Sequence, residues 1–189
     1  MKIILSVILA ALLIIGMLSF LNSRIGVGKS RLGVIREGAH FPIVSGKNLM
    51  RIEYEFPRDF EGEYNLLFVP FQQWQQREVN TWIPAAQQLE QEQKGLVYYE
   101  LPTIYELPAL SRTFINEGMR AGIPDQTARE RTITLYLDKE RFKKALAIDS
   151  EDAITVLLVD NEGTILWRES GAYTSDKIEE LRNQLNNLE

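Results

Sequence analysis

Apolar runs of strand length recur along the chain and are separated by polar turns. The run NLLFVPF (65–71) is continuous, which is typical of a strand covered on both faces of a sheet. The runs LVYYELP (96–102) and TITLYLD (132–138) predict two further strands. Earlier, NLMRIEYEFP (48–57) alternates weakly between apolar and polar positions and predicts a strand or a hairpin.

Helical spacing is found between and after these runs. Residues 77–93 predict a helix with Pro84 inside it, where a kink is expected, and its apolar face carries Val79, Ile83, Ala86 and Leu89. Shorter helices are predicted over 107–118, ended by Gly118, and over 139–146. A last helix follows Thr174 or Ser175, either of which can cap it, and carries an apolar stripe of Ile178, Leu181, Leu185 and Leu188.

The clearest local signal is the segment ITVLLVD-NEG-TILWRES (154–170), in which two β-rich runs flank a turn that ends in glycine. This pattern predicts a β-hairpin. The order strand, helix, strand, helix, strand, helix, hairpin, helix predicts an α/β fold, a mixed sheet with helices on both faces.

The N-terminal segment has a different composition. Residues 3–21 carry no charge and are long enough, as a helix, to cross a bilayer core of about 30 Å. We expect a single transmembrane anchor over 1–22, because no A-x-A-like cleavage site follows it, although a cleavable signal peptide is the alternative. The Gly- and Ser-rich residues 23–37 predict a flexible tether, and 38–189 a folded domain.

The orientation of the anchor is balanced between opposing charges. Lys2 and the α-amino group favour a cytoplasmic N-terminus, whereas Arg24, Lys29 and Arg31 favour the opposite. We expect a membrane protein whose domain lies on the extracytoplasmic side. Residues 32–189 carry 17 basic and 26 acidic groups, so nucleic acid is not an expected partner.

The absence of cysteine restricts the chemistry. A chain with no cysteine and one histidine excludes disulfides, thiolate metal sites, iron–sulfur clusters, thiol nucleophiles and multi-histidine metal sites. His40 is the sole candidate base for a Ser-His-Asp triad, and a histidine at the start of a domain more often lies at the surface. We therefore expect no catalytic residue, no metal and no cofactor.

The element order resembles the thioredoxin-like superfamily of the TlpA and peroxiredoxin kind. The matching stretches are GAHFPIVSGKNL (38–49), the helix with its internal proline, TITLYLDKERFKKAL (132–146) and ITVLLVDNEGTILWRESG (154–171). Counted back from Pro84, the resemblance places the family's two cysteines at Gln76 and Val79, to within one residue. Ile154 stands where the family has a cis-proline. Without sulfur, thiol–disulfide exchange is excluded.

A second, shorter resemblance involves LLVDNEGTILW (157–167), which is similar to the thioredoxin-like assembly factor of the mitochondrial ATP synthase. That family likewise lacks the cysteine pair. The resemblance implies a binding or assembly role beside a membrane protein complex, with a protein partner.

Two candidate binding regions follow. Trp74 lies among glutamines that include Gln75 and Gln76, where a substrate would bind in a redox-active relative, and amides around an exposed aromatic suit peptide recognition. Alternatively, Trp74 plugs the end of the strand. The second region, 112–133, gathers Arg112, Arg120, Arg129 and Arg131; it is either an anion or partner site or a solvated loop paired with Asp125 and Glu130.

Two functions remain open at this point. One is a membrane-tethered, redox-inactive binding module that assists a membrane complex. The other is a non-thiol enzyme or anion-binding protein that uses the Gln/Trp turn and the arginine-rich loop.

Overall fold

The computed structural model describes residues 39–188. The predicted anchor (1–22) and tether (23–37) lie outside this range. The strands are β1 Val44–Asn48, β2 Glu53–Phe56, β3 Tyr64–Val69, β4 Leu96–Glu100, β5 Thr103–Tyr105, β6 Ile133–Leu137, β7 Thr155–Asp160 and β8 Ile165–Ser170. The helices are α1 Gln76–Glu92, α2 Ala109–Gly122, α3 Gln126–Arg131, α4 Lys139–Ala145 and α5 Ser175–Asn186.

The strands of this described range form two four-stranded sheets, in the orders β4-β3-β7-β8 and β2-β1-β6-β5. The strands β3 and β4 are parallel, whereas β7 is antiparallel to both β3 and β8. The segment 96–105 joins the sheets: its first half pairs with β3, Glu100 bridges to Thr132, and its second half pairs with β6. The predicted mixed sheet is therefore confirmed.

Helices cover both faces of the central sheet, as predicted. On one face, α1 and α5 pack on Leu66 and Phe68 of β3. On the other face, Phe142 and Leu146, in and just after α4, join the cluster that contains Leu67 and Val69. Because side chains of a strand alternate between faces, the continuous apolar run of β3 supplies both clusters.

The C-terminal hairpin and the last helix also agree with the sequence prediction. In the turn between β7 and β8, Asp160 Oδ1 accepts hydrogen bonds from the backbone N–H of Glu162 and Thr164, at 3.0 and 2.7 Å. Gly163 has φ of 90°, a conformation that glycine adopts without strain. Thr174 rather than Ser175 caps α5, since its hydroxyl accepts from Lys177 N.

Three details differ from the prediction. The early hairpin starts at Val44, and Asn48 forms its turn by accepting from the N–H of Met50 and Ile52. Helix α2 continues through Gly118 to Gly122, because an exposed glycine weakens a helix by only about 1 kcal/mol and does not end it. The arginine-rich segment contains a further short helix, α3, whose N-terminus is capped by Asp125.

Within residues 39–188, none of the helices is long and apolar enough to cross a membrane.

Candidate functional site

The turn that links β3 to α1 is held in one conformation by a buried glutamine. Gln75 Oε1 accepts from the backbone N–H of Phe71 and Gln72, at 2.6 and 3.0 Å. Gln75 Nε2 donates to the carbonyl of Glu151 at 2.7 Å. Since both ends of the amide are used, the side chain ties the turn to a loop that lies 76 residues further along the chain.

The ion pair of Lys139 and Glu151 also fixes this turn. Lys139, of which 2% is exposed, donates from Nζ to the carbonyl of Phe71 at 3.2 Å and to Glu151 Oε2 at 2.8 Å. Glu151 also accepts from Gln72 Nε2 at 2.6 Å and pairs with Lys143 at 3.1 Å. Burial favours the protonated carboxyl, but hydrogen bonds from the two lysines outweigh it and hold the pKa of Glu151 below its usual range.

Aromatic side chains are exposed around this fixed turn. Trp74, in the 3-10 turn Gln73–Gln75, is 45% exposed. Tyr105, at the end of β5, is 43% exposed, and its ring centre lies 4.6 Å from Lys139 Nζ. Helix α2 follows Tyr105 after three residues and contains no buried residue. Tyr105 therefore contacts the same lysine that supports the turn of Trp74.

The turn exposes Trp74, so its predicted binding role stays a prediction, whereas Gln75 is not available to a ligand. Gln75 is completely buried and its polar atoms bind the chain itself, so it is a structural residue and does not face a ligand. Gln76 is half-buried at the first position of α1, and Val79 is buried in the core under that helix. Lys139 and Glu151 were not predicted, because nothing in their local sequence indicates that they meet.

In the second predicted region, Arg112 and Arg120 donate hydrogen bonds to backbone carbonyls of the chain itself. Arg112 Nε donates to the Leu107 carbonyl, and its guanidinium lies 5.4 Å from the centre of the Tyr136 ring. Arg120 Nε donates to the Leu49 carbonyl at 2.9 Å. These contacts attach the two ends of α2 to loops, and neither arginine is brought to the Trp74 turn. The arrangement favours a structural role over an anion site.

One acidic residue is buried in an apolar strand. Glu100, at the end of β4, is 7% exposed, and burial raises its pKa to about 7 against the smaller, opposing effect of the Gln76 amide beside it. Among the described residues, its Oε1 has no hydrogen-bond partner. A sequence signal existed here, since Glu100 is the one charged residue in LVYYELP. Gln76 therefore lies between the Trp74 turn and this carboxyl.

No family model and no curated protein matches the chain. Solved structures do. A thiol:disulfide interchange protein from Bacteroides sp. matches with a TM-score of 0.54 and 18% identity, over 80% of this chain and 91% of that chain. A putative electron transfer protein from Aquifex aeolicus VF5 matches with a TM-score of 0.55 and 13% identity, over 79% and 96%.

A third match is BsSco, described as a member of the Sco family of cytochrome c oxidase assembly proteins, with a TM-score of 0.51 and 13% identity, over 79% of this chain and 95% of that chain. At such identities the likeness concerns the fold. The resemblance to the ATP synthase assembly factor stays a prediction. The chain has the thioredoxin-like fold of thiol:disulfide oxidoreductases and Sco proteins, and it contains no cysteine.

Proposed function

We propose that this chain is a redox-inactive, thioredoxin-like binding module that is tethered to a membrane by residues 1–22 and docks a protein of a membrane complex on the surface around Trp74. The single observation that carries the proposal is the exposed Trp74 on a turn whose backbone is fixed by buried side chains.

The residues at the two expected cysteine positions cannot replace thiols. The first residue of α1, Gln76, occupies a helix N-terminus, where a thiolate would be stabilised by the helix dipole. An amide neither ionises there nor attacks a disulfide. Val79 is buried and apolar. The side chains at these two expected positions therefore favour contact over chemistry.

A fixed turn favours binding because less freedom is lost on association. Ordering a mobile loop at an interface costs binding free energy, and a turn already held by Gln75 and the Lys139–Glu151 pair avoids that cost. Tryptophan and tyrosine are the side chains most often found at the energetic centre of interfaces. Trp74 and Tyr105 supply two such groups on this surface.

The charge of the domain favours a protein partner. With 17 basic against 26 acidic groups in residues 32–189, the domain repels nucleic acid and anionic lipid surfaces. A protein that offers an apolar side chain to Trp74 meets no such repulsion. BsSco, which shares the fold, belongs to a family of cytochrome c oxidase assembly proteins, and this supports the same class of role here.

A site-specific crosslink tests the docking surface. A photoreactive benzoylphenylalanine replaces Trp74 in the full chain, expressed in its own membranes, and we expect an adduct with one membrane-complex subunit at a fixed stoichiometry. The matched control places the same group at Ile43, which is 81% exposed and lies just before β1. No adduct is expected there.

Substitution of the tryptophan completes the test. Trp74→Ala is expected to weaken binding of the crosslinked subunit by roughly thirtyfold, or about 2 kcal/mol, as for a central interface aromatic. Ile43→Ala should leave the affinity unchanged. Equal adducts at both positions, or an unchanged affinity in a folded Trp74→Ala variant, would refute the docking surface.

A further inference from the structure

A cleft of about 310 Å³ is lined by Gln76, at the start of α1, and not by Trp74. Helix α1 forms one wall with Asn80, Ile83, Pro84 and Gln87, and the segment around α3 forms the other with Ile123, Ala128 and Arg131. The end of β4 forms the floor. Its volume is at the lower end of ligand pockets, which measure about 300–1,000 Å³, and its walls are mainly apolar.

The floor of the cleft carries a carboxyl without a full set of partners. The Glu100 side chain is buried, and among the described residues its Oε1 accepts no hydrogen bond. Buried polar atoms in native structures are almost always paired, because leaving one unpaired costs about 1–3 kcal/mol. An orphan acceptor on a residue that lines a cleft therefore indicates that a donor belongs beside it.

The charges around the cleft favour a cation as that donor. The guanidinium of Arg131 is already held by Glu90 at 2.8 Å and by Glu61 at 3.3 Å. Burial raises the pKa of the Tyr98 hydroxyl, which also lines the cleft. The Gln87 amide and Arg131 oppose this effect, and the carboxylates of Glu90 and Asp125 add to it. Glu100 is the acidic residue that lines the cleft, and the basic one, Arg131, already has its charge offset by two carboxylates, so an anionic ligand is disfavoured.

We propose that this cleft binds a primary ammonium group on an unbranched alkyl chain, with the ammonium donating to Glu100 and the chain packing between Ile83, Pro84 and Ile123. The described residues hold no group of three or more His, Asp or Glu side chains that could bind a metal ion. One carboxyl with apolar walls matches a single cationic donor on an apolar stem, a chemistry that both alkylamines and lysine side chains possess.

Ammonium binding is consistent with the unusual ionisation of the site. A carboxyl with a pKa of about 7 exists in both forms near neutral pH. A cation that approaches it favours the ionised form and lowers the pKa. Gln76 and Asn80, which are joined by a hydrogen bond of 3.1 Å, provide amides beside the ammonium without competing for the charge.

Calorimetric titration of the full chain in detergent micelles tests the proposal at pH 7.5. The probes are n-pentylammonium and the neutral n-pentanol, and we expect the wild type to bind the ammonium and not the alcohol. Glu100→Gln should weaken ammonium binding at least tenfold, or about 1.4 kcal/mol. The matched control is Glu179→Gln, an exposed carboxyl on α5, which should leave the affinity unchanged.

Two further titrations complete the test, one with a lysine analogue and one with a variant of Trp74. Nα-acetyl-lysine N-methylamide identifies the source: tighter binding than pentylammonium assigns the cleft to a lysine of a partner, and weaker binding to a free amine. Trp74→Ala should not affect any of these titrations, because Trp74 does not line the cleft. The proposal is overturned if no ammonium probe binds the wild type, if pentanol binds equally well, or if a folded Glu100→Gln variant binds pentylammonium like the wild type.

Discussion

Glu151 is partly buried and Glu100 is buried, and different groups surround the two carboxyls. Glu151 receives hydrogen bonds from Lys139, Gln72 and Lys143, and its pKa is lowered. Glu100 lies in an apolar strand, its Oε1 accepts no hydrogen bond from residues 39–188, and burial raises its pKa to about 7.

The difference shows that burial by itself does not decide how a carboxyl behaves. Donors provided by distant parts of the chain keep Glu151 ionised and make it a structural support for the turn of Trp74. The missing donor at Glu100 leaves a group that responds to protons and, as proposed, to a ligand. A structural ion pair and a candidate binding site thus both lie beside the N-terminal part of α1.

Removal of the donor at Glu151 is expected to have the largest effect on stability. Lys139→Met leaves a partly buried carboxylate without its closest cation, and breaking such a pair typically costs about 3–5 kcal/mol of the free energy of unfolding. Urea unfolding of Lys139→Met and of the exposed control Lys94→Met provides the measurement. Adding Glu151→Gln to Lys139→Met should restore part of the loss. A loss below about 1 kcal/mol would mean that the pair does not support the fold.

Neutralisation of Glu100 is expected to stabilise the protein at high pH. The pKa of Glu100 is higher in the folded state (about 7) than in an unfolded chain (about 4.5), so folding takes up a proton between these values. Wild-type stability therefore falls as the pH rises from about 4.5 to 7. Glu100→Gln should equal the wild type near pH 4 and exceed it by up to about 3 kcal/mol at about pH 8.

Thermal melting across that pH range measures this difference between wild type and variant. Glu179→Gln, with an exposed carboxyl, serves as the control and should show a constant difference. If the difference in stability between Glu100→Gln and the wild type is the same at both ends of the pH range, folding does not raise the pKa of Glu100. The contrast with Glu151 would then be wrong.

Loss of the buried amide in the turn should have an intermediate effect. Gln75→Ala leaves the N–H of Phe71 and Gln72 without their acceptor and removes the bond to Glu151 O, which is expected to cost about 2 kcal/mol. Gln73→Ala, at an exposed position of the same turn, is the control. Equal melting temperatures for the two variants would show that Lys139 alone fixes the turn.

The smallest expected effect on stability belongs to Trp74. Because its side chain is 45% exposed, Trp74→Ala should change the free energy of unfolding by less than about 0.5 kcal/mol in urea. A loss greater than about 1 kcal/mol would favour the other interpretation of this residue, a plug at the end of the strand. Trp74 would then support the fold, as Gln75 and Lys139 do, and would not be a residue reserved for contact with a partner.

Much of the fold could be predicted from local pattern. The hairpin of β7 and β8, the helix that starts near residue 76 and a cap at Thr174 or Ser175 depend on neighbouring residues, and all are found, the cap at Thr174. Helix α2 could not be placed correctly, because a glycine such as Gly118 is both a weak helix residue and a common helix end.

The sequence by itself determined most of the element order, the mixed sheet covered on both faces and the exclusion of thiol chemistry, since periodicity and composition are local or global properties of the chain. Only the tertiary structure decided which polar residues are buried. Gln75 meets Glu151 across 76 residues and Lys139 meets Phe71 across 68, and no local pattern encodes such distances. Glu100 differs from them, because the apolar run LVYYELP already indicates burial, and only the tertiary structure shows that its Oε1 has no partner among the described residues.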